Sequence, residues 1–379
     1  MGRLQTNVRI NAAITTALAR MKTMLPRFTA QFPAPASSNG VYEAIDNIEW
    51  TNGFWTGMLW LGYQFRGDED LHAAAQTQVR SFGHRIENQV RTDHHDLGFL
   101  YSLSCIAAWK IVGDAAARAA AIKAADLLRS RYLSVAGIIQ AWGDLSDPTQ
   151  AGRMIIDCNL NLPLLYWASD ETGDPAYRAV ANIHVGRAAR YLVRPDASTF
   201  HTFYMDPKSG APLRGTTHQG YSDDSCWARG QAWGIYGFPL VYRYNGDISL
   251  IALSARLGNY FLAHLPADHV CCWDLVFTDD KIERDTSAAA IAVCGLLEMA
   301  RQMPIADPDR ARFEAWAEAI LLSLIENYAL SEHDAGDGLL REAVYHMPKR
   351  IGVRERVIWG DYFYLEALMR FTRVWDPYW

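Results

Sequence analysis

The sequence holds no run of basic residues, no uninterrupted apolar stretch of membrane length, and no pair of cysteines at C-x-x-C spacing. Each absence excludes something. With a net charge of −6 spread along the chain there is nothing to neutralise a line of phosphates, so nucleic acid is not an expected partner. A membrane span needs about 18 consecutive apolar residues, and none is present, so no membrane partner is expected. The opening from Met1 to Leu25 scatters Arg, Gln, Asn and Thr among its apolar residues and has no small-residue cleavage site, unlike a signal peptide. The six cysteines (Cys105, Cys158, Cys226, Cys271, Cys272, Cys294) mostly sit inside apolar stretches, which predicts buried free thiols rather than disulfides or a zinc site. A cytoplasmic location is the expectation. Strand signals are also scarce, with short candidates only at Phe200–Tyr204 and Cys271–Phe277.

What the chain does have is apolar bulk and repetition. Half of its 379 residues are hydrophobic, and the 13 Trp and 18 Tyr are too many for one binding site, so part of them must be core. Five segments share one pattern: an apolar or aromatic stretch, a short break usually carrying Gly-Asp, then a more polar amphipathic stretch. The breaks fall at Gly67-Asp68, Gly113-Asp114, Gly173-Asp174-Pro175, Gly246-Asp247 and Asp307-Pro308. Glycine ends a helix cheaply in the left-handed conformation, and Asp then caps the next one, with Pro suited to its first turn. Each unit is thus a hairpin of an inner helix, apolar nearly all round, and an outer one with a charged face.

The inner helices are expected to begin near residues 51, 96, 157, 228, 286 and 361. The last, Asp361 to Trp375, lacks an outer partner, and the first helix, from about Leu4 to Met24, lacks an inner one. Pairing these two closes an all-α ring of six hairpins, an (α/α)6 toroid spanning residues 1–379 as one domain. An open helical-repeat scaffold that binds another protein is the competing architecture, but its repeats keep tighter periods.

The longer loops all precede inner helices, so they share one rim, and unusual residues gather there. They include Trp50, Asp93-His94-His95-Asp96, Trp142, Arg153, Asp157, Gly215 to Gly220, Arg229 and Trp233. Asp157 follows Met154-Ile155-Ile156 and enters an apolar environment, where burial and a second carboxylate would raise its pKa. Asp96 holds the equivalent place one hairpin earlier. Either residue could instead be a plain helix cap. Two carboxylates facing each other across a cavity suit glycosidic chemistry. The adjacent His94 and His95, taken as helical, would point apart, and no H-E-x-x-H accompanies them, so no metal is expected. Arg229 and Trp233 lie four apart on one helix face, either as ordinary packing or as a cation beside an aromatic platform for an anionic sugar. His201, His218 and Gln219 can add hydrogen bonds to hydroxyls or a carboxylate.

Taken together, W-T-N-G-F-W-T-G from Trp50, D-H-H-D-L-G-F-L-Y-S from Asp93, I-I-Q-A-W-G from Ile138, R-M-I-I-D-C from Arg153, H-T-F-Y from His201, T-H-Q-G from Thr217, R-G-Q-A-W-G-I-Y-G-F from Arg229 and W-G-D-Y from Trp359 closely resemble the unsaturated glucuronyl hydrolases, glycoside hydrolase family 88. The resemblance spans almost the whole chain in order. It implies an (α/α)6 barrel and an oligosaccharide substrate whose non-reducing end is a 4,5-unsaturated uronic acid left by a lyase. It also implies hydration of that double bond, with Asp157 as general acid/base and Asp96 as the second carboxylate. Trp50, Trp142 and Trp233 match positions that wall the pocket. His201, Thr217, Gln219 and Arg229 match substrate-binding positions, with Gly215 and His218 counted beside them. No cofactor is implied, and the expected oligomeric state is a monomer or weak homodimer. Thr216 departs from the family's Gly, and Met347-Pro348-Lys349-Arg350 is more basic than in some members, which points to a sulfated or longer glycan. The competing functions are an unsaturated rhamnogalacturonyl hydrolase acting on pectin fragments and a non-catalytic glycan-binding toroid.

Overall fold

Glycine and aspartate punctuate the chain where the sequence places them. In the computed structural model, which describes residues 3–147, 150–279 and 281–379, Gly67, Gly113, Gly173 and Gly246 each end a helix at φ between 66° and 77°. The aspartates Asp68, Asp114, Asp174, Asp247 and Asp307 each cap the following helix, their side chains accepting amides of its first turn. Capping of this kind satisfies amides that have no partner within the helix.

The helices in chain order are α1 (Arg3–Phe28), α2 (Asn52–Arg66), α3 (Glu69–Glu87), α4 (Leu97–Tyr101), α5 (Ala107–Val112), α6 (Ala115–Ser130), α7 (Cys158–Thr172), α8 (Pro175–Tyr191), α9 (Ala228–Asn245), α10 (Ile248–Ala263), α11 (Thr286–Gln302), α12 (Pro308–Ser323) and α13 (Ile358–Thr372). A π-helical stretch, Ser102–Ile106, joins α4 and α5 into one continuous inner helix. The inner ring runs α2, α4, α7, α9, α11, α13 and returns to α2. The outer partners are α3, α6, α8, α10 and α12, and α1 pairs with α13 to complete the sixth hairpin. The (α/α)6 barrel expected from the repeat is therefore closed by the two ends of the chain. All six cysteines are free and buried, as expected.

Close approach between inner helices depends on small residues. A Cβ on Gly98 of α4 would lie 2.3 Å from the Asn161 Cα of α7, so only glycine fits there. Asn161 adds an acceptor for the Phe99 amide at 2.9 Å. This contact sits directly below Asp96 and Asp157 and sets how near those two residues come.

Short antiparallel strands decorate the ring. They are β1 (Phe32–Pro33) with β2 (Ala44–Ile45), β3 (Tyr132–Leu133) with β4 (Ile138–Ile139), β5 (Arg153–Ile155), β6 (Thr202–Met205) and β7 (Pro212–Thr216) as a three-stranded sheet, and β8 (Ala343–His346) with β9 (Ile351–Glu355). The strand expected at Phe200–Tyr204 is β6, which begins two residues later and ends one residue later. The strand expected at Cys271–Phe277 is not formed, and that stretch makes only the isolated bridges Trp227 to Asp274 and Cys272 to Arg284. The reason is the buried Asp274, whose carboxylate accepts from the Tyr221 amide and the Ser225 hydroxyl and organises a loop instead of a ladder. Among the described residues no helix is long and apolar enough to cross a membrane.

Candidate active site

The N-terminal ends of the inner helices meet on one rim. Asp96 stands immediately before α4 and Asp157 immediately before α7, and neither side chain caps its helix. The cap reading open from the sequence therefore fails for both. At each the backbone ψ is near zero rather than extended, 12° at Asp96 and −10° at Asp157, which turns the carboxylate away from the helix's first amides. Both enter the cleft, retaining 13% and 16% side-chain exposure.

Between them stands His95, which the sequence reading weighed only as a metal ligand and set aside. Its Nε2 lies 3.3 Å from Asp96 Oδ1 and 3.4 Å from Asp157 Oδ1, off the direction of a hydrogen bond to either. His94 flanks Asp96 on the other side, at 3.3 Å from Oδ2. The expectation that these histidines diverge on a helix is corrected here. They precede α4 in a bend, so both rings can address the same aspartate. A backbone bond from His95 N to Ala141 O, at 2.7 Å, fixes His95 to the loop carrying Trp142.

Electrostatics divide the two acids. Burial pushes the Asp157 carboxyl up to about 7; the charge of Asp96 adds to the rise and that of His95 opposes it. Burial also opposes ionisation of Asp96, but the charges and contacts of His95 and His94 outweigh it and hold that carboxyl well below the usual range. Burial disfavours a charge on His95 too, yet Asp96 and Asp157 on either side raise its pKa. The cluster sets a carboxyl that ionises readily beside two histidines against a second carboxyl that holds its proton up to about 7, an arrangement that gives two aspartates two roles.

Aromatic rings wall the cleft. Trp50 lies 5.3 Å from Trp359 and donates its Nε1–H to the Tyr345 hydroxyl at 3.2 Å. Trp142 meets His218 edge-on at 5.6 Å and carries the Arg153 guanidinium over its ring at 4.9 Å. Trp233 is 1% exposed and packs between Phe99 and Phe363, so it forms the floor beneath the cleft. The backbone carries the remaining polar groups into place. Ile156 N bonds His201 O, tying the strand before Asp157 to β6. His201 Nδ1 accepts from the His218 and Gln219 amides, and burial pushes its pKa well below the usual value, so this ring is a neutral acceptor.

Several expected binding residues also shape the loop. Thr217 Oγ1 accepts from Gly220 N at 2.8 Å, closing the turn. Gly215 pairs with Phe203 across β6 and β7, and a Cβ there would meet the Phe200 ring at 2.3 Å, so packing alone explains this glycine. Thr216 pairs with Thr202 in the same ladder, which accommodates its departure from Gly.

Arg229 is not stacked on Trp233. Its guanidinium lies over Trp227 at 4.5 Å and Trp359 at 5.0 Å. It donates to Asp285 Oδ2 at 2.7 Å, to Val344 O and Tyr345 O at 2.6 and 2.7 Å, and to Gln219 Oε1 at 2.5 Å. The long side chain runs back toward the helix N-terminus, beyond the residue that shares its face. There it clamps β8 and Gln219 to the rim. Asp361 of the W-G-D-Y string is likewise structural, accepting the Leu339 and Leu340 amides and the Tyr42 hydroxyl.

The model of Glycosyl Hydrolase Family 88 matches residues 21–298. The chain is 50% identical over 378 residues to the unsaturated chondroitin disaccharide hydrolase of Streptococcus agalactiae serotype III (strain NEM316), covering 100% of this chain and 95% of that protein. A crystal structure of unsaturated glucuronyl hydrolase from Streptococcus agalactiae superposes with a TM-score of 0.96 at 50% identity, over 98% of this chain and 94% of that one. A variant of that enzyme complexed with dGlcA-GalNAc6S superposes with a TM-score of 0.88 at 47% identity, over 98% and 94% of the two chains. The chain is a glycoside hydrolase and belongs to Glycosyl Hydrolase Family 88.

Proposed function

We propose that the protein removes a 4,5-unsaturated uronic acid from the non-reducing end of lyase-generated, glycosaminoglycan-type oligosaccharides by hydrating the double bond. The observation that carries this reading is two carboxyls facing each other in an aromatic cleft, Asp157 pushed up by burial to about 7 and Asp96 held well below the usual range. An enol ether is protonated at carbon, and that needs an acid still neutral near pH 7. Asp157 gives its proton to carbon 4, and the positive charge develops on carbon 5 and the ring oxygen. Water adds at carbon 5 and returns a proton to the Asp157 carboxylate. The hemiketal so formed opens the ring and releases the remaining sugar. Asp96, ionised and held by His94 and His95, binds ring hydroxyls and stabilises the developing cation. Trp50 and Trp142 offer faces to the flat unsaturated ring. His201, Thr217, His218, Gln219 and the Gly215 segment shape the hydrogen-bonding side of the pocket, with Arg229 holding that side in position.

The exposed Lys349 and Arg350 sit in the β8–β9 hairpin, and the Lys349 charge reaches His218 across the mouth. A sulfate or a longer glycan on the leaving side would meet them. The protein acts as a single catalytic unit, monomeric or weakly dimeric, in the cytoplasm. The test is loss of the conjugated uronate's ultraviolet absorbance on adding unsaturated disaccharides from hyaluronan, chondroitin, heparin and gellan. Absorbance that persists with all of them rejects the reading, and turnover only of pectin-derived fragments moves it to rhamnogalacturonyl chemistry. An equal rate on sulfated and plain disaccharides, unchanged by Lys349→Ala and Arg350→Ala, removes the role given to the hairpin.

A further inference from the structure

We propose that His95, Asp96 and Asp157 together form a binding site for a divalent d-block cation, zinc above all, which closes the active site instead of serving it. The three side chains each offer one ligand atom, and these atoms lie within 4.8 Å of one another. A tetrahedral zinc ion with bonds of about 2.0–2.1 Å holds its ligands about 3.3 Å apart. The two separations from His95 Nε2 are 3.3 Å to Asp96 and 3.4 Å to Asp157. A second, independent observation concerns satisfaction of buried groups. His95 is 1% exposed, yet neither ring nitrogen has a hydrogen-bond partner, and Asp157 Oδ1 has none either. Buried polar atoms without partners are rare, and two of these, His95 Nε2 and Asp157 Oδ1, face each other at 3.4 Å.

The donor set also selects the ion. One imidazole and two carboxylates suit zinc and its neighbours, whereas magnesium requires near-octahedral oxygen coordination. Two carboxylates offset the ion's charge. The nearby cation Arg229 is already engaged by Asp285, and Arg131 by the carbonyls of Gln140 and Gly143. The fourth position opens on the cleft, where both aspartates keep their remaining exposure. Zinc bound there takes lone pairs from both Asp157 and His95 Nε2, sends the protons held on those atoms to solvent, and occupies the edge from which carbon 4 must approach. The inhibitory consequence rests on the acid role proposed for Asp157, while the binding itself does not.

The experiment titrates zinc chloride into metal-free full-length protein without substrate, against a fluorescent zinc indicator. One ion per chain is expected in the micromolar range, weakened at least tenfold in His95→Gln and in Asp96→Asn. His72→Gln, on outer helix α3, should leave the affinity unchanged. X-ray absorption of the zinc-loaded wild-type should show imidazole and oxygen scattering without sulfur, a readout independent of how any variant folds. In a parallel assay, zinc should compete with unsaturated disaccharide, and a chelator should restore the rate. No binding at millimolar zinc, sulfur ligation, or equal affinity in folded His95→Gln would overturn the proposal. A zinc-free protein that binds zinc as expected but turns over no disaccharide would overturn the proposed function and leave the site standing.

Discussion

The outer and inner rings both begin helices with aspartate, and they use it in opposite ways. At Asp68, Asp114, Asp174, Asp247 and Asp307 ψ lies between 98° and 120°, and each carboxylate turns back onto its own helix's amides. At Asp96 and Asp157 ψ is close to zero, no amide is captured, and the side chain is free to face the cleft. The acid strengths follow. Asp174 is lowered by its bond from the Ala176 amide, whereas Asp157, its burial only partly offset by His95, rises to about 7. Asp285 lies between the two patterns, capping α11 and also pairing with Arg229. A rotation of roughly a hundred degrees about one backbone bond therefore separates a helix cap from a proton donor.

Breaking this contrast at its functional end should have the largest effect. Asp157→Asn removes the proton but keeps the shape, and kcat should fall by about 10²–10⁴-fold, the range general acid–base catalysis supplies. Its thermal midpoint should hold or rise, because no hydrogen bond is lost from Oδ1. A rate within a few-fold of wild type would remove Asp157 from the chemistry. The contact beneath the pair comes next. In Gly98→Ala the new methyl meets Asn161 Cα, and overpacking of this kind costs about 1–3 kcal/mol. Because the strain separates α4 from α7, kcat should fall along with stability. A destabilised variant with full kcat would show that the carboxylate spacing does not depend on this contact.

How much of this was legible in the sequence depends on how local the cause is. The Gly-Asp breaks were legible because a left-handed glycine and an N-cap answer to neighbours a few residues away. Ring closure was legible because an unpaired outer-type helix at one end and an unpaired inner-type helix at the other have a single simple solution. Which aspartates cap and which face the cleft was not, since ψ at Asp157 depends on how α7 packs against α4 through Gly98. The place of His95 between the two aspartates was hidden for the same reason, because its ring meets Asp157 only across two hairpins. Strands β7 and β9 carry Arg214, Arg354 and Glu355 and are largely exposed, so they lack the apolar alternation that marks a strand. Arg229 was found for its charge, but three of its four acceptors lie on Asp285 and β8, distant in sequence.

The pH dependence of stability should run in opposite directions in the two rings. Folded Asp157 keeps its proton to about pH 7, whereas in the unfolded chain it ionises near the ordinary value of 3.8. Between those limits rising pH favours the unfolded chain. The melting temperature of Asp157→Asn relative to wild type should therefore climb from pH 4 to pH 8. Asp174, held below its ordinary value, contributes stability that is present above 3.8 and lost as the pH falls through its folded value. The deficit of Asp174→Ala should accordingly shrink on acidification. Parallel profiles for the two variants would contradict the division of roles. The same titration should appear in kcat/KM, which should decline above about pH 7 as Asp157 loses its proton.

The smallest expected effect isolates the cap alone. Asp114 accepts the Ala116 and Ala117 amides at 2.9 and 3.0 Å, at the start of an outer helix remote from the rim. Asp114→Ala leaves those amides to water, a loss of about 1 kcal/mol for an N-cap. Denaturant unfolding should register that loss through a lower midpoint at unchanged slope. Turnover of the unsaturated disaccharide should be unaffected, because α6 reaches Asp96 only through the body of the second hairpin. If kcat fell as well, the outer ring would be tuning the cleft, and the two uses of aspartate would be coupled. If only stability fell, the outer aspartates serve the fold and the inner pair is free to serve the reaction.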